Sequence, residues 1–170
     1  MDLKQFKNPL IHSAVIVLHE LSTDSLILTK RSEGLRHHPG EISFPGGLRE
    51  HGDTDLYVTA LRELKEELGI SEARVTLVRK MQTEITALGT IIHPWFATIV
   101  SVQPFILNPD EVSSIVSIPM HLVQNPKNYK EIFIQRNGKE FKTFEFGPQE
   151  EYIWGATARI MRQLVIPVQK

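Results

Sequence analysis

Glu63, Glu66 and Glu67 are spaced i, i+3, i+4 in the stretch Arg62-Glu63-Leu64-Lys65-Glu66-Glu67-Leu68-Gly69-Ile70. Tyr57, Ala60, Leu61, Leu64 and Leu68 recur at helical spacing and make one apolar stripe. At about 100° per residue, the three carboxylates share a face roughly 120° around from that stripe. Gly69 is placed to close the helix in the left-handed conformation. As structure alone the arrangement is unfavourable. Glu63 and Glu67 are like charges one turn apart. All three acids lie in the last turns, where the helix dipole prefers cations. Arg62 offsets part of this by pairing with Glu66 at i, i+4. A hard divalent cation held by carboxylate oxygens would offset the rest. The competing reading is a solvated charged face.

The residues upstream favour the metal. Gly40-Glu41-Ile42-Ser43-Phe44-Pro45-Gly46-Gly47 precedes Asp53 and the helix. Two adjacent glycines let a backbone approach a ligand or metal closely and present carbonyl or N–H groups to it. Gly, five residues, an acid, and then a helix with Arg-Glu-x-x-Glu-Glu-x-Gly resembles the Nudix box. Two features depart from the usual box: the first acid is Asp53 instead of Glu, and the gap to Arg62 is one residue longer. Residues 27 to 47 resemble more closely the signature of the Nudix coenzyme A diphosphatases. Arg31, Ser32, Arg36, Gly40 and Phe44 to Gly47 fall in place, and Ile27 stands where a Leu is usual. That subfamily also has the longer box with Asp, followed by Thr59-Ala60-Leu61-Arg62-Glu63.

The resemblance implies an α/β Nudix fold, a mixed sheet sandwiched between helices. It implies metal-dependent hydrolysis of the diphosphate of coenzyme A, giving 3′,5′-ADP and 4′-phosphopantetheine. The alternatives are another nucleoside diphosphate derivative as substrate (ADP-ribose, a dinucleoside polyphosphate or an NTP) or a catalytically silent nucleotide sensor. Glu63, Glu66 and Glu67 are the implied ligands of Mg2+ or Mn2+, with the Gly47 carbonyl as a backbone ligand, and Glu63 alternatively orients the attacking water. Glu111 in Asp110-Glu111-Val112 is the implied general base, with a solvated turn acid as the alternative; Glu84 is a weaker candidate. Arg31 and Arg36 are expected to meet phosphate, which guanidinium binds bidentately, beside the Gly46-Gly47 backbone. Arg62 is expected to be an ion-pair strut. Asp53 is expected to act structurally or behind the ligands, with a helix cap as the alternative. Phe44 is expected in the core. His37, His38 and His93 lack metal-ligand spacing and are expected to be structural or loop residues.

The rest of the chain must position these groups. Its 170 residues suit one domain spanning 1–170. A net charge of -1 gives no electrostatic basis for nucleic-acid or polybasic membrane binding. With no cysteine, disulfides and thiolate chemistry are excluded. No signal peptide, membrane span or peroxisomal address is recognised at Ala14–Leu18 or at Pro167–Lys170, so a cytoplasmic location is expected. A homodimer is left open.

Residues 1–10 read as an irregular lead-in. Strands are expected over Ser13–Leu18, Ser25–Lys30, Arg74–Lys80, Ile91–Val102 and Val112–Ile118. A helical turn is expected at Met120–Val123. Ile132–Gln135 and Phe141–Phe146 form a hairpin around Asn137-Gly138, and a final helix runs over Glu151–Val165.

Overall fold

The computed structural model describes residues 11–136, 138–148 and 150–165, with the backbone alone at Lys139. The expected lead-in, Asn137 of the hairpin turn, and Pro167–Lys170 lie outside them. One mixed sheet organises the described chain. Its central strand β1 (His12–Glu20) pairs antiparallel with β2 (Ser25–Arg31) and parallel with β7 (Ile91–Ile99). The edge strand β5 (Thr76–Lys80) follows β7, β6 (Glu84–Ile85) also pairs with β7, and β8 (Val112–Pro119) pairs with β2. Two short strands flank the glycine loop: β3 (Ile42–Ser43) on β2 and β4 (Gly46–Leu48) on β1. A second, three-stranded sheet contains β9 (Tyr129–Arg136), β10 (Lys139–Phe146) and β11 (Ile153–Trp154).

Strand alternation divides the apolar residues between two layers. Ala14, Ile16 and Leu18 face helix α1 (Leu56–Leu68) and pack with Ala60, Leu61, Leu64 and Leu68. Val17, Leu26 and Leu28 face the other way, with Phe44, Phe146, Ile153 and helix α3 (Gly155–Arg162). This is the α/β arrangement expected from the sequence, with helices on both faces. The short α2 (Met120–Val123) buries Met120 and Val123 in the α3-side layer.

Two expectations change. Residues 151–154 do not begin the last helix: Ile153 pairs with Phe146 and Trp154 with Glu145 as a strand. Gly155, at φ +69°, turns the chain from that strand into α3. The helix also stops at Arg162, short of Val165. The strand expected from Arg74 starts at Thr76, after a single turn over Glu72–Arg74. There the Arg74 guanidinium donates to the carbonyls of Ser101, Val102, Gln103 and Pro104 at 2.7–2.9 Å, holding the loop after β7.

Candidate active site

Helix α1 presents the acids, and both its ends are fixed. Asp55 caps the N-terminus, accepting from the Tyr57 and Val58 N–H groups at 2.8 and 3.0 Å. Asp53 therefore does not provide the cap. Gly69, at φ +65°, closes the other end and donates to the Lys65 carbonyl, as its position predicts. Two carbonyls at that end would otherwise lack partners. The loop before β8 supplies them: Ile106 N–H donates to Leu68 O and Asn108 N–H to Glu67 O, each at 2.9 Å. Docking this loop brings Glu111 over the helix end, where the Glu111 carbonyl also accepts from Ser32 N–H at 2.9 Å.

Glu63, Glu67 and Glu111 converge, each offering an oxygen within 4.8 Å of the others. Glu67 is only 4% exposed, and its Oε2 is buried without a hydrogen-bond partner among the described residues. Its Oε1 accepts weakly from Gly46 N–H at 3.5 Å. Burial, reinforced by Glu63 and Glu111, pushes the Glu67 carboxyl up to about 8, against the pull of Gly46 N–H and Arg31. Burial also raises Glu63, which Arg62 draws back. A buried orphan oxygen among converging acids fits a hard cation with oxygen ligands. Glu63, Glu67 and Glu111 are the side chains that would hold one.

Glu66 lies outside this trio. Its carboxylate is half-exposed and accepts from Arg62 Nη1 at 2.8 Å. Arg62 is the strut expected of it, with further bonds to Glu63 Oε1 at 3.0 Å, the Leu48 carbonyl at 3.0 Å and Asp53. Asp53 sits behind the site. It accepts from Arg62 Nε at 3.1 Å and from Glu50 N–H and Thr59 Oγ1 at 2.9 Å. The Arg62 bond, then the Glu50 N–H, hold its carboxyl down to about 2 against burial. The Asp-Arg pair thus ties the start of α1 to the turn that bears Glu63.

Each glycine of the pair answers a separate steric demand. Gly46, at φ +156°, lies so close to β1 that a Cβ would stand 2.3 Å from the Ala14 carbonyl. A Cβ on Gly47 would stand 2.3 Å from Glu63 Oε1. The loop therefore lies directly against Glu63.

Arg31 ends β2 beside the trio. It contributes the positive charge felt by Glu67, and its Nε is buried without a partner. Arg36 is exposed on the loop between β2 and β3 and joins no ion pair among the described residues. Glu84 is turned to structure: its oxygens accept from Arg159 Nε at 2.7 Å and Gln163 Nε2 at 3.3 Å. His37 is exposed, His38 pairs with Glu41 at 2.8 Å, and buried His93 contacts His12 at 2.9 Å. Phe44 is buried in the core.

The Nudix domain family matches residues 10–146, most of the chain. The chain belongs to the Nudix family. It is a Nudix hydrolase, an enzyme acting on phosphoric anhydride bonds. It is 33% identical to the Nudix hydrolase NudL of Yersinia pestis strain Pestoides F, described as uncharacterized, over 82% of this chain and 70% of that one. A MutT/nudix protein of Enterococcus faecalis shares the fold with a TM-score of 0.60 and 15% identity, covering 95% of this chain and 64% of that one. An Ap4A hydrolase of C. elegans does so with a TM-score of 0.55 and 20% identity, covering 64% and 80%. Nudix hydrolases in general use divalent metal ions. Among the described residues no helix is long and apolar enough to cross a membrane.

Proposed function

We propose that this Nudix hydrolase cuts the diphosphate of coenzyme A or its derivatives, with Mg2+ or Mn2+, releasing 3′,5′-ADP and 4′-phosphopantetheine. The observation that supports this most is the joining of two elements at one place. The signature loop from Arg31 to Gly47 meets the acids of α1 through Gly46 N–H on Glu67 and Gly47 against Glu63, and it meets the segment that carries Glu111 through Ser32 N–H on the Glu111 backbone carbonyl. A bound divalent cation would neutralise phosphate charge and acidify a water. Glu63, Glu66 and Glu67 would hold it from the helix, with the Gly47 carbonyl as backbone ligand; Glu66 is the one of the three that Arg62 Nη1 now holds at 2.8 Å. Glu111, the third member of the trio, would either complete the cation site or take the proton of the attacking water. Arg31 and Arg36 receive phosphate oxygens, Arg31 from its place beside the trio and Arg36 from the exposed loop between β2 and β3.

The whole chain, 1–170, acts as one catalytic unit in the cytoplasm, and a homodimer is compatible with it. The test is a substrate panel of coenzyme A, ADP-ribose, a dinucleoside polyphosphate and an NTP, ranked by kcat/KM with Mg2+ or Mn2+. Metal-dependent release of 3′,5′-ADP at the highest kcat/KM supports the assignment; no release from coenzyme A overturns it.

A further inference from the structure

We propose that Tyr152 and Trp154 form a stacking platform for the purine ring of the nucleotide substrate, a proposal that rests on the nucleotide reading above and places its base. The two rings lie nearly parallel, 20° between planes and 6.4 Å between centroids. Neither belongs to the apolar clusters on either face of the main sheet. Ile153 between them is fully buried, so strand alternation turns its neighbours away from the core. Tyr152 is 58% exposed. A pair of aromatic faces without a role in the core gains by covering a flat ring, and base–aromatic stacking accepts any base with a π-face.

Two contacts fix where this platform stands. Glu151, next to Tyr152, accepts from Lys30 Nζ at 3.1 and 3.2 Å. Thr157 Oγ1, in the first turn of α3, donates to the Ile42 carbonyl at 3.2 Å. Lys30 directly precedes Arg31, and Ile42 lies just before Phe44-Pro45-Gly46-Gly47. The side chains of Lys30 and Arg31 take opposite faces of β2: Arg31 acts on Glu67, and Lys30 holds Glu151. These contacts tie the platform to β2 and β3, the strands that carry Arg31 and lead into Gly46-Gly47. A nucleoside diphosphate reaching around the end of β2 would place its diphosphate at the acids and its base on the rings. Lys30 neutralises Glu151 at the crossing, and Lys130 does the same for Glu145, which accepts from the Tyr152 hydroxyl at 3.3 Å.

The chain contains two tryptophans, and Trp95 packs with Tyr57 on the α1 side of the sheet. Intrinsic fluorescence in EDTA can therefore follow Trp154. Quenching by ADP but not by inorganic pyrophosphate, lost in Trp154→Phe, is expected; no quenching by ADP, or quenching retained in that variant, overturns the platform. In kinetics with coenzyme A, Tyr152→Ala and Trp154→Leu are each expected to raise KM about tenfold with kcat within about twofold. Tyr152→Ala guards against a folding defect at Trp154, which precedes α3. Coenzyme A cut with unchanged KM in both variants sinks the platform and leaves the substrate assignment standing. ADP quenching through Trp154 in a protein that does not cut coenzyme A does the reverse.

Discussion

Glu63 occupies the space that a side chain on Gly47 would need: a Cβ there would stand 2.3 Å from Glu63 Oε1 and 2.5 Å from its Cδ. Glu63 can keep this position against the loop only while residue 47 has no side chain. Gly47→Ala is therefore expected to displace Glu63, lowering metal-dependent kcat/KM by at least about 100-fold. The Glu63 carboxylate can swing aside, so the accompanying loss of stability should be small, below about 1 kcal/mol. Metal-titration calorimetry beside a urea melt checks both. A variant with normal metal affinity and turnover would show that the contact does not shape the site.

Glu67 is buried with an orphan oxygen and a carboxyl raised to about 8. Its folded value lies above the ordinary carboxylate value of 4.5, so the fold prefers it protonated. In EDTA this contribution to stability is present below pH 4.5 and is lost as pH rises through about 8. Glu67→Gln should flatten that slope and leave the metal-free protein at least as stable as wild type at pH 8. It should also remove about 100-fold or more of metal-dependent turnover. Urea melts in EDTA between pH 5 and 9 test the first expectation; a variant as pH-sensitive as wild type contradicts it.

Asp53 titrates in the opposite sense. Its carboxyl is held at about 2, below its ordinary 3.8. The associated stability, roughly 2 kcal/mol, is present above pH 3.8 and is lost as pH falls through about 2. Asp53→Ala leaves Arg62 Nε and the Glu50 N–H without their acceptor, while Arg62 keeps Glu63, Glu66 and the Leu48 carbonyl, and should cost about 2–3 kcal/mol. Turnover should fall too, because Arg62, without its Asp53 anchor, holds Glu63 less firmly. A chemical melt showing a loss below about 1 kcal/mol would rule out this anchoring role.

Arg74 separates stability from chemistry. Its guanidinium gathers four carbonyls of residues 101–104, away from the acid trio. Arg74→Met should destabilise by about 2–4 kcal/mol through unsatisfied carbonyls, while kcat and KM of the folded fraction stay within about twofold of wild type. Reduced kcat at a temperature where the variant is fully folded would tie this loop to catalysis.

Much of this arrangement is legible in the sequence because local rules are broken together there. Glu63 and Glu67 sit at a helix end that disfavours them, after two glycines that only a close approach explains. Helix α1 and its Gly69 close follow directly from apolar period and capping chemistry. Contacts over long separations are not legible in the same way. The Arg62–Glu66 pair follows from i, i+4 spacing, but the hold of Asp53 and the Leu48 carbonyl on Arg62 does not. Glu84 is indistinguishable from a free acid until α3 brings Arg159 to it. The seating of Glu111 depends on Ile106 and Asn108 N–H groups finding helix carbonyls, and backbone donors leave no mark in composition. β3, β4, β6 and β11 are two or three residues long, too short for any period to register.

The most direct test of the acid trio as a cation site is Mn2+ binding followed by electron paramagnetic resonance, alongside 3′,5′-ADP release from coenzyme A. It would compare wild type with Glu63→Gln, Glu67→Gln, Glu111→Gln and Glu66→Gln. Weakened Mn2+ binding by at least about tenfold, with loss of product, is expected for Glu67→Gln and Glu63→Gln, and a smaller change in binding for Glu66→Gln. Wild-type Mn2+ affinity and turnover in both Glu63→Gln and Glu67→Gln would contradict the assignment of these side chains to the cation.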